Sequence, residues 1–225
     1  MRRLFLTLSL LTCAGAPRLS ASLCVTDTLA NYVASSGCSL GEFTLQGFSY
    51  AQISGTVTIP SSSITVTPLI SGNQLSLTFS SGSFNLSFPD SSVYLLGYTW
   101  DPGDIRSFED ILNANSPTFP GFATIDTSLC ENSAFTGATC PNTIDPLQVT
   151  DNGISSTLTD TFDFSPTLSI VGVRDKITLD ATAGSGAKSE FTSFTNQIVV
   201  PEPSAWVVTP LGLAWVWRRL RRSKR

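Results

Sequence analysis

With 225 residues, 41% of them hydrophobic and only 13% charged, the chain has room for one domain of ordinary size once its two ends are set aside. It contains no histidine, which excludes Ser-His-Asp and Cys-His catalysis and an ordinary zinc enzyme. Residues 23–200 hold 16 acids against four bases (Arg106, Arg174, Lys176 and Lys188), a net charge of −12 that repels phosphate backbones and excludes nucleic acid as a partner.

The amino end reads MRRLFLTLSLLTCAGAPRLSAS. Arg2 and Arg3 precede an apolar run from Leu4 to about Ala16, and Ser20, Ala21 and Ser22 supply small residues for cleavage. The run is shorter than the ~20 residues needed to span a bilayer. The layout predicts a secretory signal peptide over residues 1–22, removed by signal peptidase to leave Leu23 first. Cys13 then departs, leaving Cys24, Cys38, Cys130 and Cys140 in an oxidising compartment. Their spacing lacks the close pairs of zinc sites, whereas 24–38 and 130–140 each close a short loop at low entropic cost. Two disulfides with that pairing are expected.

Residues 26–38 predict a short helix with Asp27 as N-cap, Leu29, Tyr32 and Val33 on one face, and Gly37 ending it. Period two then takes over. Phe43 and Leu45 alternate up to Gly47, read as a bulge, and Phe48 and Tyr50 resume. Ile64 and Val66 lead to Pro68. Leu75, Leu77 and Phe79 form one alternating run and Phe84, Leu86 and Phe88 another, with SSGS as the turn between them. SVYLLGYTW is apolar on both faces and belongs in the middle of a sheet. GDIRSFEDILNANS fits a helix or a strand equally well. Phe162 and Phe164, Leu168 and Ile170, and Ile177 and Leu179 carry the pattern on towards Phe191 and Phe194, past a flexible DATAGSGAKS loop. Ser and Thr make up roughly a quarter of the chain, with 16 glycines against one methionine. Short strands punctuated by such residues predict an all-β fold over residues 23–198: an antiparallel β-sandwich, jelly-roll-like, with one short N-terminal helix.

The chemistry-bearing residues are sparse. Asp101, Asp104, Glu109 and Asp110 form the densest acid cluster. A hydrolytic carboxylate pair would need two of them facing across a cleft. Asp101 and Asp104 are calcium candidates, although the loop lacks EF-hand spacing. The preferred reading is a Pro-Gly turn with solvated acids, with no metal and no cofactor. Tyr94, Tyr98 and Trp100 would stack on sugars if they lined an exposed face; large side chains needed to fill a sandwich are the preferred reading.

The chain closes with VVPEPSAWVVTPLGLAWVWRRLRRSKR. Pro201, Glu202 and Pro203 precede an apolar stretch from Ala205 to Trp217, and Arg218, Arg219, Arg221, Arg222, Lys224 and Arg225 end it. This arrangement over residues 199–225 resembles a PEP-CTERM sorting signal, the substrate tag of exosortases in Gram-negative bacteria. The basic cluster fits a cytoplasmic stop and the tryptophans fit membrane interfaces. Thirteen residues of helix reach about 20 Å against a hydrocarbon core of ~30 Å, so the short transmembrane helix undershoots the bilayer. LANYVASSGCSLGEFTLQGFSY (29–50), ITVTP, LTFSSGSFNLS and LGYTW are similar to stretches of exported PEP-CTERM proteins of unknown activity. The resemblance implies an inner-membrane-anchored precursor and then a protein of the cell surface or exopolysaccharide matrix. It implies no catalytic activity, and exosortase and signal peptidase as partners during export. The alternative is a secreted glycan-binding module with extracellular polysaccharide as its partner.

Overall fold

The computed structural model describes residues 22–114 and 119–201. The signal segment before Ser22, Glu202 and Pro203 of the sorting motif, and the apolar and basic tail all lie outside the described residues. The elements in chain order are β1 (Ser22–Leu23), β2 (Asp27–Thr28), α1 (Leu29–Ala34), β3 (Cys38–Leu40), β4 (Phe43–Gly55), a 3-10 turn at Ser61–Ser63, β5 (Thr65–Ser71), β6 (Gln74–Ser80) and β7 (Asn85–Ser87). There follow β8 (Ser91–Asp101), β9 (Ile105–Ala114), β10 (Phe122–Glu131), β11 (Thr143–Asp151), β12 (Ser156–Thr157), β13 (Thr159–Leu168), β14 (Val171–Asp180) and β15 (Lys188–Val199). They form a two-sheet sandwich. One sheet runs β1-β3-β4-β8-β14-β10-β11-β12 and the other β13-β9-β15-β6-β5-β2, with β7 against β15. All pairings are antiparallel except β1 with β3.

The sheet positions follow from which faces the sequence makes apolar. SVYLLGYTW lies in β8, between β4 and β14, with Tyr94, Leu96, Tyr98 and Trp100 turned into the core. The ambiguous GDIRSFEDILNANS segment is a strand, β9, because Ile105, Phe108 and Leu112 are buried between β13 and β15. Gly47 breaks the β4–β8 register between Gln46 and Ser49 at φ +69°, a conformation glycine adopts without the clash of a Cβ, so Leu45 and Phe48 both face inward. Pro68 is tolerated within β5 because β2 pairs only with Thr65 and Val66, leaving Pro68 on an open edge.

Two disulfides staple the loops, Cys24–Cys38 and Cys130–Cys140. Between the first pair sits α1, with three corrections to its expected form. Thr28, not Asp27, is the N-cap: its Oγ1 accepts from Asn31 N at 3.3 Å, while Asp27 Oδ1 accepts from Thr28 N and Asn31 Nδ2. Val33 is exposed, because a six-residue helix offers only Leu29 and Tyr32 to the core. The helix ends at Ala34 with Ser35 as its C-cap, two residues before Gly37. A further difference concerns SSGS. It does not close a hairpin: β6 pairs with the middle and end of β15, and β7 with the start of the same strand. Phe88 lies beyond β7 and is exposed. Among the described residues, no helix is long and apolar enough to cross a membrane.

Candidate functional site

The outer face of the first sheet carries a broad polar groove that sheet register builds from scattered residues. Antiparallel pairing aligns Ser49 of β4 with Gly97 of β8, Gly97 with Arg174 of β14, and Arg174 with Ser128 of β10. The next row aligns Ala51 with Leu95, Leu95 with Lys176, Lys176 with Asp126, and Asp126 with Gln148 of β11. Residues two apart on a strand share a face, so both rows point outward together. Five strands at their usual spacing make a floor about 20 Å across.

Two adjoining hollows lie along these rows. One of about 430 Å³ runs over Ser49, Ala51, Leu95, Gly97 and Thr99 to Phe135 and Gly137. The other, about 500 Å³, is bounded by Asp126, Ser128, Pro146 and Lys176, and both share Leu95 and Arg174. A depression of about 90 Å³ beside Cys24–Cys38 is too small for a saccharide ring.

The loop closed by Cys130–Cys140 forms one wall. Cys130 stands at an outward position of β10, so the loop folds back over the sheet. It rests on Gly172, where an added Cβ would lie 2.7 Å from Ser133 O and 3.1 Å from Phe135 N. Only a residue without a side chain lets the loop come this close. The Arg174 guanidinium carbon sits 4.7 Å from the Phe135 ring centroid, and its Nη1 donates to Ala138 O at 2.9 Å. At the far side, Gln148 Nε2 donates to Asp126 Oδ1 at 2.6 Å, and Lys176 Nζ lies 3.9 Å from Asp126 Oδ2. Two of the body's four bases therefore sit side by side in the groove, each held by a neighbour. The arrangement offers fixed donors and acceptors beside a small apolar floor and one aromatic ring, a composition that suits ligand binding.

The acid cluster expected from sequence is split by strand alternation. Asp104 is exposed, and Asp101 Oδ2 accepts from Gln46 Nε2 at 3.1 Å. Glu109 accepts from Gln197 Nε2 at 2.9 Å, and Asp110 turns into the core. Among the described residues no group of three or more His, Cys, Asp or Glu is gathered as a metal site, so Asp101 and Asp104 acquire no third acid. Tyr94, Tyr98 and Trp100 are core residues, each at most 3% exposed, and leave no sugar platform on their strand. Tyr94 donates to Val57 O, and its oxygen accepts from Ile59 N at 2.9 Å. Sequence reasoning missed the groove itself. Its legible trace was Arg174 and Lys176, two apart in an otherwise base-poor strand.

No family model matches the chain, and no curated protein matches it. Among solved structures it is similar to a carbohydrate-binding module described for specific mannan recognition, with a TM-score of 0.28 and 11% identity over 70% of this chain and 96% of that one. The functional reading rests on the groove and not on that likeness.

Proposed function

We propose that this is an exported, non-catalytic surface protein whose body holds a strand of extracellular polysaccharide in the outer-face groove. The observation that carries the reading is the transverse row Ala51, Leu95, Lys176, Asp126 and Gln148, bounded by a disulfide-closed loop. A sugar chain presents hydroxyls on its edges and C–H groups on its faces. Paired acceptors and donors such as Asp126, Gln148 and Arg174 suit the first, and Leu95 with Phe135 suits the second. A polymer also fits a floor open along its length better than a closed pocket does. The carboxylate that lines the hollows, Asp126, is engaged by Gln148 and Lys176, which suits binding better than catalysis.

Delivery is part of the same proposal. The resemblance of residues 199–225 to an exosortase signal supports sorting from a membrane-held precursor to the cell surface or matrix. Pro201, the first residue of that motif, is exposed, one residue past Val200, whose N–H donates to Asn73 O at 2.9 Å. The motif thus begins two residues after the end of β15.

The test is calorimetric titration of the exported protein with a panel of neutral and acidic polysaccharides. Binding to at least one of them, reduced by Arg174→Ala and by Gln148→Ala, is expected. Absence of binding across the panel, or binding indifferent to both changes, overturns the groove reading.

A further inference from the structure

Behind the floor of the groove, two carboxyls from opposite sheets are buried about one side chain, Asn196, which is the β15 register partner of Asp110 and donates to Asp175. Asp175 is the inward neighbour of Arg174 and Lys176 on β14, and Asp110 points inward from β9; they are 0% and 1% exposed. Asp175 accepts from Thr127 Oγ1 at 2.7 Å and from Asn196 Nδ2 at 2.9 Å on each of its oxygens. Asn196 comes from β15, so these bonds bridge the sheets. Both oxygens of Asp110, the Tyr98 hydroxyl, Trp100 Nε1 and Asn196 Oδ1 are buried without a hydrogen-bond partner.

Among the described residues, no cation neutralises the two acids. Arg174 and Lys176 stand on the other face of β14, while Arg106 and Lys188 are exposed. The other titratable groups near the pair are Tyr98 from β8, Asp160 opposite Asp110 on β13, and Glu109, which stands on the outer face of β9; each of them adds negative charge when it ionises. Two bare carboxylates in such a place carry both a desolvation cost and mutual repulsion, and the economical remedy is a bound proton. A protonated Asp110 would also supply one donor to a cluster in which Asn196 Oδ1, its cross-strand neighbour, lacks one. A metal ion suits the cluster less well, since it holds only two carboxyls and includes an indole N–H donor.

We propose that Asp110 and Asp175 form a proton-binding latch between the two sheets, closed while the pair shares a proton and loosened when that proton leaves. Burial, then the charge of Asp175, raises Asp110 well above the ordinary carboxyl range, with the Thr127 hydroxyl opposing. Burial likewise pushes Asp175 up to about 7, although its bonds from Thr127 and Asn196 pull the other way. Unfolded, each acid releases its proton near the ordinary value of about 4. The folded state therefore binds more protons in the interval above that value. The stability from the latch is complete below pH ~4 and is lost as pH rises through about 7, by roughly a tenfold rise in the unfolding constant per pH unit for one proton.

The experiment compares the full exported protein with Asp110→Asn, which keeps the shape and removes the titration of Asp110 while leaving that of Asp175, by denaturant unfolding from pH 5 to 8. The exposed-acid variant Asp104→Asn serves as control. The wild type and the control should lose stability across this range relative to Asp110→Asn, and Asp110→Asn should outlast both at pH 8. Infrared spectra should show a protonated-carboxyl band in the wild type at neutral pH. Parallel pH profiles for Asp110→Asn and wild type would overturn the latch. So would stabilisation by added calcium that Asp110→Asn abolishes, which would make the cluster a cation site. Should Asp110→Asn not fold, the wild-type infrared band decides alone: its absence at neutral pH refutes the proposal.

Discussion

Arg174 and Phe135 are locked into one unit, the guanidinium carbon 4.7 Å from the ring centroid and Nη1 bonded to the carbonyl of Ala138 three residues further on. A strand residue thereby fixes both the loop and its own fork of donors. A cation over an aromatic ring at a partly exposed site is worth about 0.5–1 kcal/mol. Phe135→Ala should therefore cost little stability but release the Arg174 side chain, weakening saccharide binding several-fold. Arg174→Lys should not restore full affinity, because an ammonium lacks the planar fork. Titration of both variants beside a melting curve checks the pair of statements.

The wall of the groove depends on its disulfide. The Cys130–Cys140 pair encloses a segment with a sequence separation of 10, and the chain-entropy relation gives such a cross-link roughly 3 kcal/mol. Replacing both cysteines by serine should lower the melting temperature by several degrees and weaken binding more than the loss of Phe135 alone. Unchanged affinity in that variant would remove the loop from the site.

Gly172 tests the seating of the same loop from the sheet side. A Cβ there meets Ser133 O at 2.7 Å, and the atom it meets is backbone, which cannot rotate away. Gly172→Val should cost about 1–3 kcal/mol by overpacking and displace the loop from the sheet. Native-state hydrogen exchange confined to residues 131–142 would report the displacement. Protection there equal to the wild type would contradict it.

Sorting is tested at the two ends of the chain. Exported protein should begin near Leu23, and in cells with exosortase its carboxy end should fall near Pro201–Pro203. Because the apolar stretch is short by about 10 Å, processing should be slow and should improve when about six apolar residues follow Leu213. Intact mass from cells with and without exosortase measures this. A carboxy terminus at Arg225 in both would rule out cleavage.

The fold was legible where one face of a strand faces the core. Leu75, Leu77 and Phe79 of β6 and the run in β8 declared their period and their burial. Gly47 marked its bulge for the same local reason. What failed depended on partners distant in the chain. SSGS looks like a hairpin turn, but β6 and β7 both select β15, and nothing local to the turn records that choice. In β9, Asp110 looked like one of four solvated acids, since its face is set only once the helix-or-strand ambiguity is resolved. Asp175 did leave a trace. It occupies an inward position between Val173 and Ile177, where alternation calls for an apolar side chain. The groove was hidden altogether, because its rows join residues from 49 to 176 through register.

The strand that leads to the tail is β15, and it is the best-flanked strand of its sheet, with β6 on one side from Ser193 to Val199 and β9 on the other from Phe191 to Val199. Asn73 adds a clasp at the exit, its carbonyl accepting from Val200 N and its Nδ2 donating to Val200 O at 3.2 Å. If the body is tethered through its carboxy end, tension on the tether runs along β15 and loads both ladders in parallel. Many hydrogen bonds must then yield together under shear, instead of one after another as in peeling an edge. A pull along β15 thus meets resistance from two ladders at once.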